Sequence, residues 1–326
     1  MLAERELWFT GLRQVEVRRG EPLPALAPGE AKARALHSGI SQGTELLLYR
    51  GEGSRVFDPS LDTPGTPVYP RRYGYSWVGE IVESRSRGAE VGQRIFALRP
   101  HGDVHVLRPE SMRNIPASIP SARATLAANV ETALTVVWDA QLAIGDRVLI
   151  MGGGIVGLLV AMLARVAGAR QVFVVEPSVL RRQAALTLGA HEACPPGEDV
   201  PKGEFDVVIE ATGDPACLDR AIAHAGMEST IVVASFYGER RSPVALGGEF
   251  HRRRLQLKAS QVSRIPPHKA ARWDTDRRFA MVVDCLRDPR LDTLVDKPIP
   301  FAEAPAVFAR LDADPGVALH SVFAYS

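Results

Sequence analysis

Apolar and polar positions change their spacing along this chain of 326 residues. Up to residue 120 the apolar positions form short alternating runs broken by Pro and Gly, as in Ala31 to Leu36 and Val78 to Val82. Runs of period two between breakers predict strands, so this stretch reads as a β-rich region without a long helix. Inside it, Gly51 to Tyr73 holds four prolines and little periodicity, which predicts a loop over a site or an interface. From Ser121 the pattern lengthens, and Ala122 to Ala140 predicts a helical connection. Strand-like and helix-like segments then alternate. Arg147 to Met151, Gln171 to Val175, Phe205 to Glu210 and Thr230 to Ser235 read as strands, while Ile155 to Ala167 and Leu180 to Leu188 read as helices stopped by Gly168 and Gly189. This predicts an α/β doubly wound parallel sheet with helices on both faces. After Ile265 one helix is predicted, Thr275 to Leu286, followed by short proline-marked elements like those of the opening region. The expected domains are residues 1–120, a doubly wound domain at 121–264, and a return to the first domain at 265–326.

Between the first predicted strand and helix of the second region stands Gly152-Gly153-Gly154-Ile155-Val156-Gly157, a G-x-G-x-x-G loop. Gly152 permits the turn, Gly154 lets a pyrophosphate approach the backbone, and Gly157 lets helix and strand pack closely. The N–H groups of Ile155 and Val156 at the helix start, with the helix dipole, favour the phosphates. The next strand runs to Glu176, where a carboxylate would accept hydrogen bonds from the adenosine ribose and oppose a 2′-phosphate. The motif therefore predicts a dinucleotide, with NAD(H) favoured and NADP(H) left open because Arg181 can clamp a 2′-phosphate or stack on adenine. Arg182 reads as part of a solvated helix start. Ser235 and Phe236, at the end of the fourth strand, are expected near the nicotinamide carboxamide.

Composition narrows the class. Hydrophobic residues make up 46% and charged residues 24%, which excludes a disordered chain, and the net charge of +1 gives no field for nucleic acid or an anionic membrane. No apolar run approaches a membrane span, and the opening MLAERELWFT is too charged for a signal peptide, so a cytoplasmic protein is expected. Cys194, Cys217 and Cys285 are too few and too scattered for a disulfide framework or a four-thiolate zinc site.

Several blocks, in order, resemble the medium-chain dehydrogenase/reductase superfamily across nearly the whole chain. They are Gly39-Ile40-Ser41-Gln42-Gly43-Thr44-Glu45, Tyr73 to Val82, Val91 to Ile95, Gly145 to Val148, the glycine loop, and Asp206 to Gly213. The resemblance implies a GroES-like β-barrel catalytic domain beside a Rossmann domain, a nicotinamide cleft between them, and a homodimer. It implies cofactor contacts at Thr212 and Gly213 in the last block, and a nicotinamide contact at Thr135. Ser41-x-Gly43-Thr44-Glu45, Asn129-x-Glu131-Thr132-Ala133-Leu134 and Phe250 to Arg254 are similar to the branch containing bacteriochlorophyllide hydroxyethyl dehydrogenase.

Departures from the zinc enzymes of this superfamily point to the chemistry. Their first cysteine is Ser41 here, and their Gly-His-Glu is Gly74-Tyr75-Ser76. A hydroxyl and a phenol are poor zinc ligands, so no catalytic zinc is expected, and no four-cysteine lobe is present. His101 to Glu110 reads as a strand, with His101 and His105 in a loop or at a strand edge. Glu131 falls where some zinc enzymes place a third ligand. It is expected to be either a polar cleft residue, serving as proton relay or outer acceptor, or a carboxylate at a helix N-terminus. Without zinc, Ser41, Thr44 and Tyr75 would stabilise the oxygen that gains charge on hydride transfer, although Tyr75 also reads as an aromatic filling the zinc space. Hydroxyl donors suit a delocalised enolate, so reduction of a conjugated C=C in an enone or enoyl thioester ranks first. An alcohol/ketone dehydrogenase ranks second and a non-catalytic nucleotide-binding protein third. The expected partner is a small molecule, apolar or thioester-linked. Arg71 and Arg72 are phosphate candidates, His251 to Arg254 reads as a solvated edge, and Trp77, Trp138 and Phe236 read as core.

Overall fold

The computed structural model describes residues 4–52, 69–198 and 200–325. Residues 53–68, most of the expected Gly51 to Tyr73 loop, lie outside the described residues. Contacts divide the chain into one unit of residues 1–128 and 283–326 and a second of residues 129–282. Both divisions fall inside helices, later than residues 120 and 264.

In the first unit β1 (Arg5–Gly11) and β2 (Gln14–Arg19) form an antiparallel pair. A separate seven-stranded sheet is built from β3 (Ala31–Gly39), β4 (Ser76–Ser84), β5 (Arg94–Ala97), β6 (Val104–Leu107), β7 (Arg113–Asn114), β14 (Ile299–Pro300) and β15 (Val322–Ala324). Its order is β14-β15-β3-β4-β5-β7, with β6 also on β3; only the β14–β15 pair is parallel. This is the mixed β-domain of the GroES-like kind, and the last strands rejoin the first ones as the proline-marked ending predicts. The helix α1 (Gln42–Tyr49) leaves the end of β3, and its apolar face packs with Leu7, Phe9, Phe301, Phe308 and Phe323. A second core lies around Trp77, Ile81, Ile95 and the small residues Ala31, Ala33 and Ala35 of β3.

The second unit is a six-stranded parallel sheet of β8 (Arg147–Met151), β9 (Gln171–Val175), β10 (Glu192–Cys194), β11 (Phe205–Glu210), β12 (Ala225–Val233) and β13 (Gln256–Ala259), in the order β10-β9-β8-β11-β12-β13. This is the Rossmann order, and it reverses direction at β8, where such sheets hold ligands at the carboxyl ends of their strands. Its central strands carry continuous apolar runs, Val148-Leu149-Ile150 and Val207-Val208-Ile209, because helices cover both faces.

Four expectations need correction. The helix expected over Ala122 to Ala140 is two, Ser121–Ala124 and α2 (Ala127–Ala140). The chain breaks at Thr125, whose hydroxyl donates to the Ala122 carbonyl and meets His320 Nε2 at 2.9 Å. The strand expected from Thr230 begins at Ala225, and that expected over His101 to Glu110 is only Val104–Leu107. The helix Ala304–Ala313 was hidden by Pro305, which is tolerated in a first helical turn.

Two buried histidines tie the first unit to pH. His105, edge-on to Trp77, donates Nε2–H to the Pro100 carbonyl, and burial pushes it down to about 4. His320, also at about 4 through burial, has Nδ1 without a partner among the described residues. Unfolding returns each ring to its ordinary value of 6.5, so the unfolded chain binds more protons between pH 6.5 and 4 and stability falls as pH falls through that window. Urea unfolding at pH 7 and pH 5 should therefore differ by about 2 kcal/mol per histidine at unchanged slope. Equal midpoints would contradict the burial of both rings.

Candidate active site

In the first unit the hydroxyls of Ser41, Thr44 and Tyr75 come together. Ser41 stands at the N-terminus of α1 without capping it with its side chain. Its hydroxyl oxygen instead accepts the Tyr75 phenol proton, and Thr44 Oγ1 lies 3.4 Å from the same phenol oxygen. Burial pushes the Tyr75 phenol above its ordinary value, with Ser41 and Thr44 opposing and the Glu45 carboxylate reinforcing the shift, so the phenol is a proton donor at neutral pH. Tyr73 packs edge-on against Tyr75 at 6.3 Å, and the Arg71 guanidinium lies 5.9 Å from the Tyr73 ring. Arg72, read as a phosphate candidate, is paired with Glu6 at 2.8 Å.

In the second unit β8 delivers the glycine loop to the helix α3 (Ile155–Val166). Gly152 turns with φ +99°, and a Cβ there would lie 2.5 Å from the Ala211 carbonyl oxygen. A Cβ on Gly157 would lie 2.0 Å from the Gly152 carbonyl oxygen, so helix and loop can touch only at a glycine. Gly154, at the start of α3, has open space where a Cβ would stand. The loop is thus bare backbone that leads directly into the first N–H groups of α3, those of Ile155 and Val156.

Glu176 ends β9 buried, with Oε2 accepting from Gly153 N at 2.7 Å and Oε1 from Ser178 N at 2.9 Å. Each oxygen keeps a lone pair, and the carboxylate stiffens the glycine loop as well as facing it. Arg182 donates to the carbonyls of Glu176 and Pro177 rather than standing free in solvent, while Arg181 is half-buried on the same helix. After β11, the buried Glu210 accepts from Thr212 N, from the Thr212 hydroxyl and from the Tyr237 phenol. Gly213 N donates to Ser235 Oγ at 2.8 Å, bringing those two candidates together. Phe236 is 44% exposed and is no core residue: it follows β12 in a loop. Trp77 is core, and Trp138 is half-buried against Trp273. In the run expected to be a solvated edge, Arg253 is half-buried and donates to the Ala225 and Ala223 carbonyls.

Glu131 lies on α2 past its first turn, so it is not a helix N-terminal carboxylate. Its Oε1 takes Arg278 Nη2 at 2.8 Å and Nε at 2.9 Å. Arg278 also reaches Thr135 Oγ1 at 3.3 Å and the Val262 carbonyl at 2.7 Å. This guanidinium, in the helix α4 (Thr275–Leu286), has no signature in the sequence, because nothing local marks a partner 147 residues away. Glu45, read only as part of a matched block, and His101, expected in a loop or at a strand edge, also belong to the site. They form a fully buried pair, 2.9 Å apart, directly beneath Ser41. Among the described residues no three His, Cys, Asp or Glu side chains group as a metal site, and no helix is long and apolar enough to cross a membrane.

Residues 156–276 match the zinc-binding dehydrogenase family. The chain is 30% identical over 238 residues to 2-desacetyl-2-hydroxyethyl bacteriochlorophyllide A dehydrogenase of Cereibacter sphaeroides, covering 67% of this chain and 69% of that protein. Among solved structures it is similar to 2R,3R-butanediol dehydrogenase of Bacillus subtilis, with a TM-score of 0.81 at 20% identity over 99% of this chain and all of the other. A zinc-binding-dehydrogenase structure from Sinorhizobium meliloti determined with NADP aligns at TM-score 0.80 and 20% identity over the whole of both chains.

Because nothing lies near the position of a Gly154 Cβ, Gly154→Val should fold as the parent does while weakening NADH binding at least about tenfold through loss of the phosphate cradle. Fluorescence titration with NADH measures this, and unchanged affinity in folded protein would move the cofactor away from the loop.

Proposed function

This chain belongs to the medium-chain dehydrogenase/reductase superfamily of NAD(P)-dependent oxidoreductases, and from that premise we propose that it interconverts a secondary alcohol and a ketone with the hydroxyls of Ser41, Tyr75 and Thr44 in place of a metal ion. One observation carries the proposal. The Tyr75 phenol donates to Ser41, which leaves the Ser41 proton free to point out of the cluster. In the reductive direction Ser41 Oγ–H donates to the carbonyl oxygen, Tyr75 reprotonates Ser41, and Thr44, half-exposed, restores Tyr75 and draws on solvent. Oxidation runs the same protons backwards.

The family's zinc ion does not suit this donor set. Ser41 and Tyr75 offer neutral oxygens already bonded to each other. The nearby imidazole and carboxylate, His101 and Glu45, are turned to one another. A nicotinamide dinucleotide does suit the second unit, where the Gly152 to Gly157 loop, Glu176, Thr212, Gly213, Ser235, Phe236 and Thr135 would hold it. When bound it supplies or takes the hydride. The Glu176 carboxylate opposes a 2′-phosphate, which supports NAD(H), while Arg181 on the helix that follows keeps NADP(H) open.

Alcohol chemistry moves ahead of conjugate reduction because the relative 30% identical to this chain is, by its name, a hydroxyethyl dehydrogenase. Enone reduction remains the second reading, supported by the neutrality of all three hydroxyls. Initial rates with NAD+ and NADP+ on secondary alcohols, and in reverse on matched ketones and enones with a chelator present, separate the two. Expected are turnover of the alcohol/ketone pair, a preference for NAD+, and a loss on the order of a hundredfold in kcat for Ser41→Ala at unchanged NADH affinity. Consumption with the enone alone would overturn the proposal, as would nucleotide binding without any turnover.

A further inference from the structure

We propose that Glu45 and His101 are positioning residues that set the Ser41–Tyr75 hydroxyl pair, an inference that rests on reading Ser41 as the outward proton donor. A serine at a helix N-terminus ordinarily turns its hydroxyl onto the first free N–H groups of the helix. Ser41 does not: its hydroxyl is turned to Tyr75, and Glu45 secures its backbone. The Glu45 carboxylate accepts Ser41 N–H at 2.8 Å, and the Glu45 N–H donates to the Ser41 carbonyl at 2.8 Å. With its N–H pinned to the Glu45 carboxylate, Ser41 is fixed in the orientation from which its hydroxyl meets Tyr75.

His101 then fixes Glu45. Its Nε2 lies 2.9 Å from the second carboxylate oxygen, its Nδ1 lies 2.6 Å from Ser38 Oγ, and Ser38 is 2.7 Å from the Tyr325 phenol. The ring is held edge-on by Phe323 at 5.2 Å. The same ring supports the other partner. Gly74, next to Tyr75, has φ +123°, and a Cβ there would lie 2.8 Å from His101 Cδ2. The segment carrying the phenol therefore rests on the imidazole, and one buried pair sets both halves of the Ser41–Tyr75 bond. A buried carboxylate is costly unless every polar neighbour is satisfied, which makes this brace a single arrangement rather than one of several.

The test labels the protein with 3-fluorotyrosine and follows the fluorine resonance lost in Tyr75→Phe, a readout that needs no substrate. Glu45→Leu/His101→Phe, which leaves no unpaired buried charge, should move that resonance to its position in Ser41→Ala. Turnover should fall on the order of a hundredfold in kcat, with nucleotide affinity held. Glu45→Gln keeps an acceptor for Ser41 N–H, and its amide N–H donates to His101 Nε2 once the ring takes the Nδ1–H tautomer and donates to Ser38, so it should stay close to the parent in resonance and rate. A resonance unmoved by the double variant would overturn the brace. Equal damage from Glu45→Gln would also overturn it, because the carboxylate would then be a proton carrier rather than a support. Should the double variant not fold, Glu45→Leu alone reads the same resonance. A shifted resonance with Ser41→Ala still fully active would uphold the brace and overturn the function proposed for Ser41.

Discussion

A carboxylate and an imidazole placed wholly out of water dictate much of what surrounds them. Glu45 and His101 are 0% exposed, so every polar atom nearby must face them or one another. Ser38, Ser41 N–H and Tyr325 do so, and Gly74 gives up its side chain to let the ring in. These residues come from β3, α1, the segment before β4, the loop before β6 and the chain after β15. The pair thus joins segments remote in sequence, and the hydroxyl cluster stands on it.

The second unit is governed by closeness rather than charge. Its loop, helix and neighbouring strand end approach so tightly that Gly152 and Gly157 admit no side chain. The buried carboxylates Glu176 and Glu210 then hold the two adjacent turns, one through Gly153 and Ser178 and the other through Thr212. In both units most candidate ligand-facing groups are backbone or hydroxyl, and carboxylates beside them keep them in place.

Much of this was legible in the sequence. The glycine loop, the parallel sheet and the superfamily follow from spacing and from blocks such as Asp206 to Gly213, because they depend on neighbours in the chain. Ser41 and Tyr75 could be picked out as residues standing where ligands were expected. What stayed hidden depends on distant pairing. The partner of Glu131 is Arg278, the partner of Glu45 is His101, and neither a period nor a motif marks such pairs. Phe236 was misread because an aromatic after a buried strand carries no sign of whether anything covers it. The substrate class was ordered differently by chemistry and by kinship, since neutral hydroxyls serve either an enolate or an alcohol.

The claim on which the account turns is that hydroxyls held by a buried brace stand where the family's metal would be. Elemental analysis of protein produced with ample zinc and then exhaustively dialysed tests it most directly. The account predicts far less than one zinc per chain in fully folded protein. One tightly held zinc per chain would contradict it, since no arrangement of Ser41, Tyr75, Glu45 and His101 described above leaves donors for the ion.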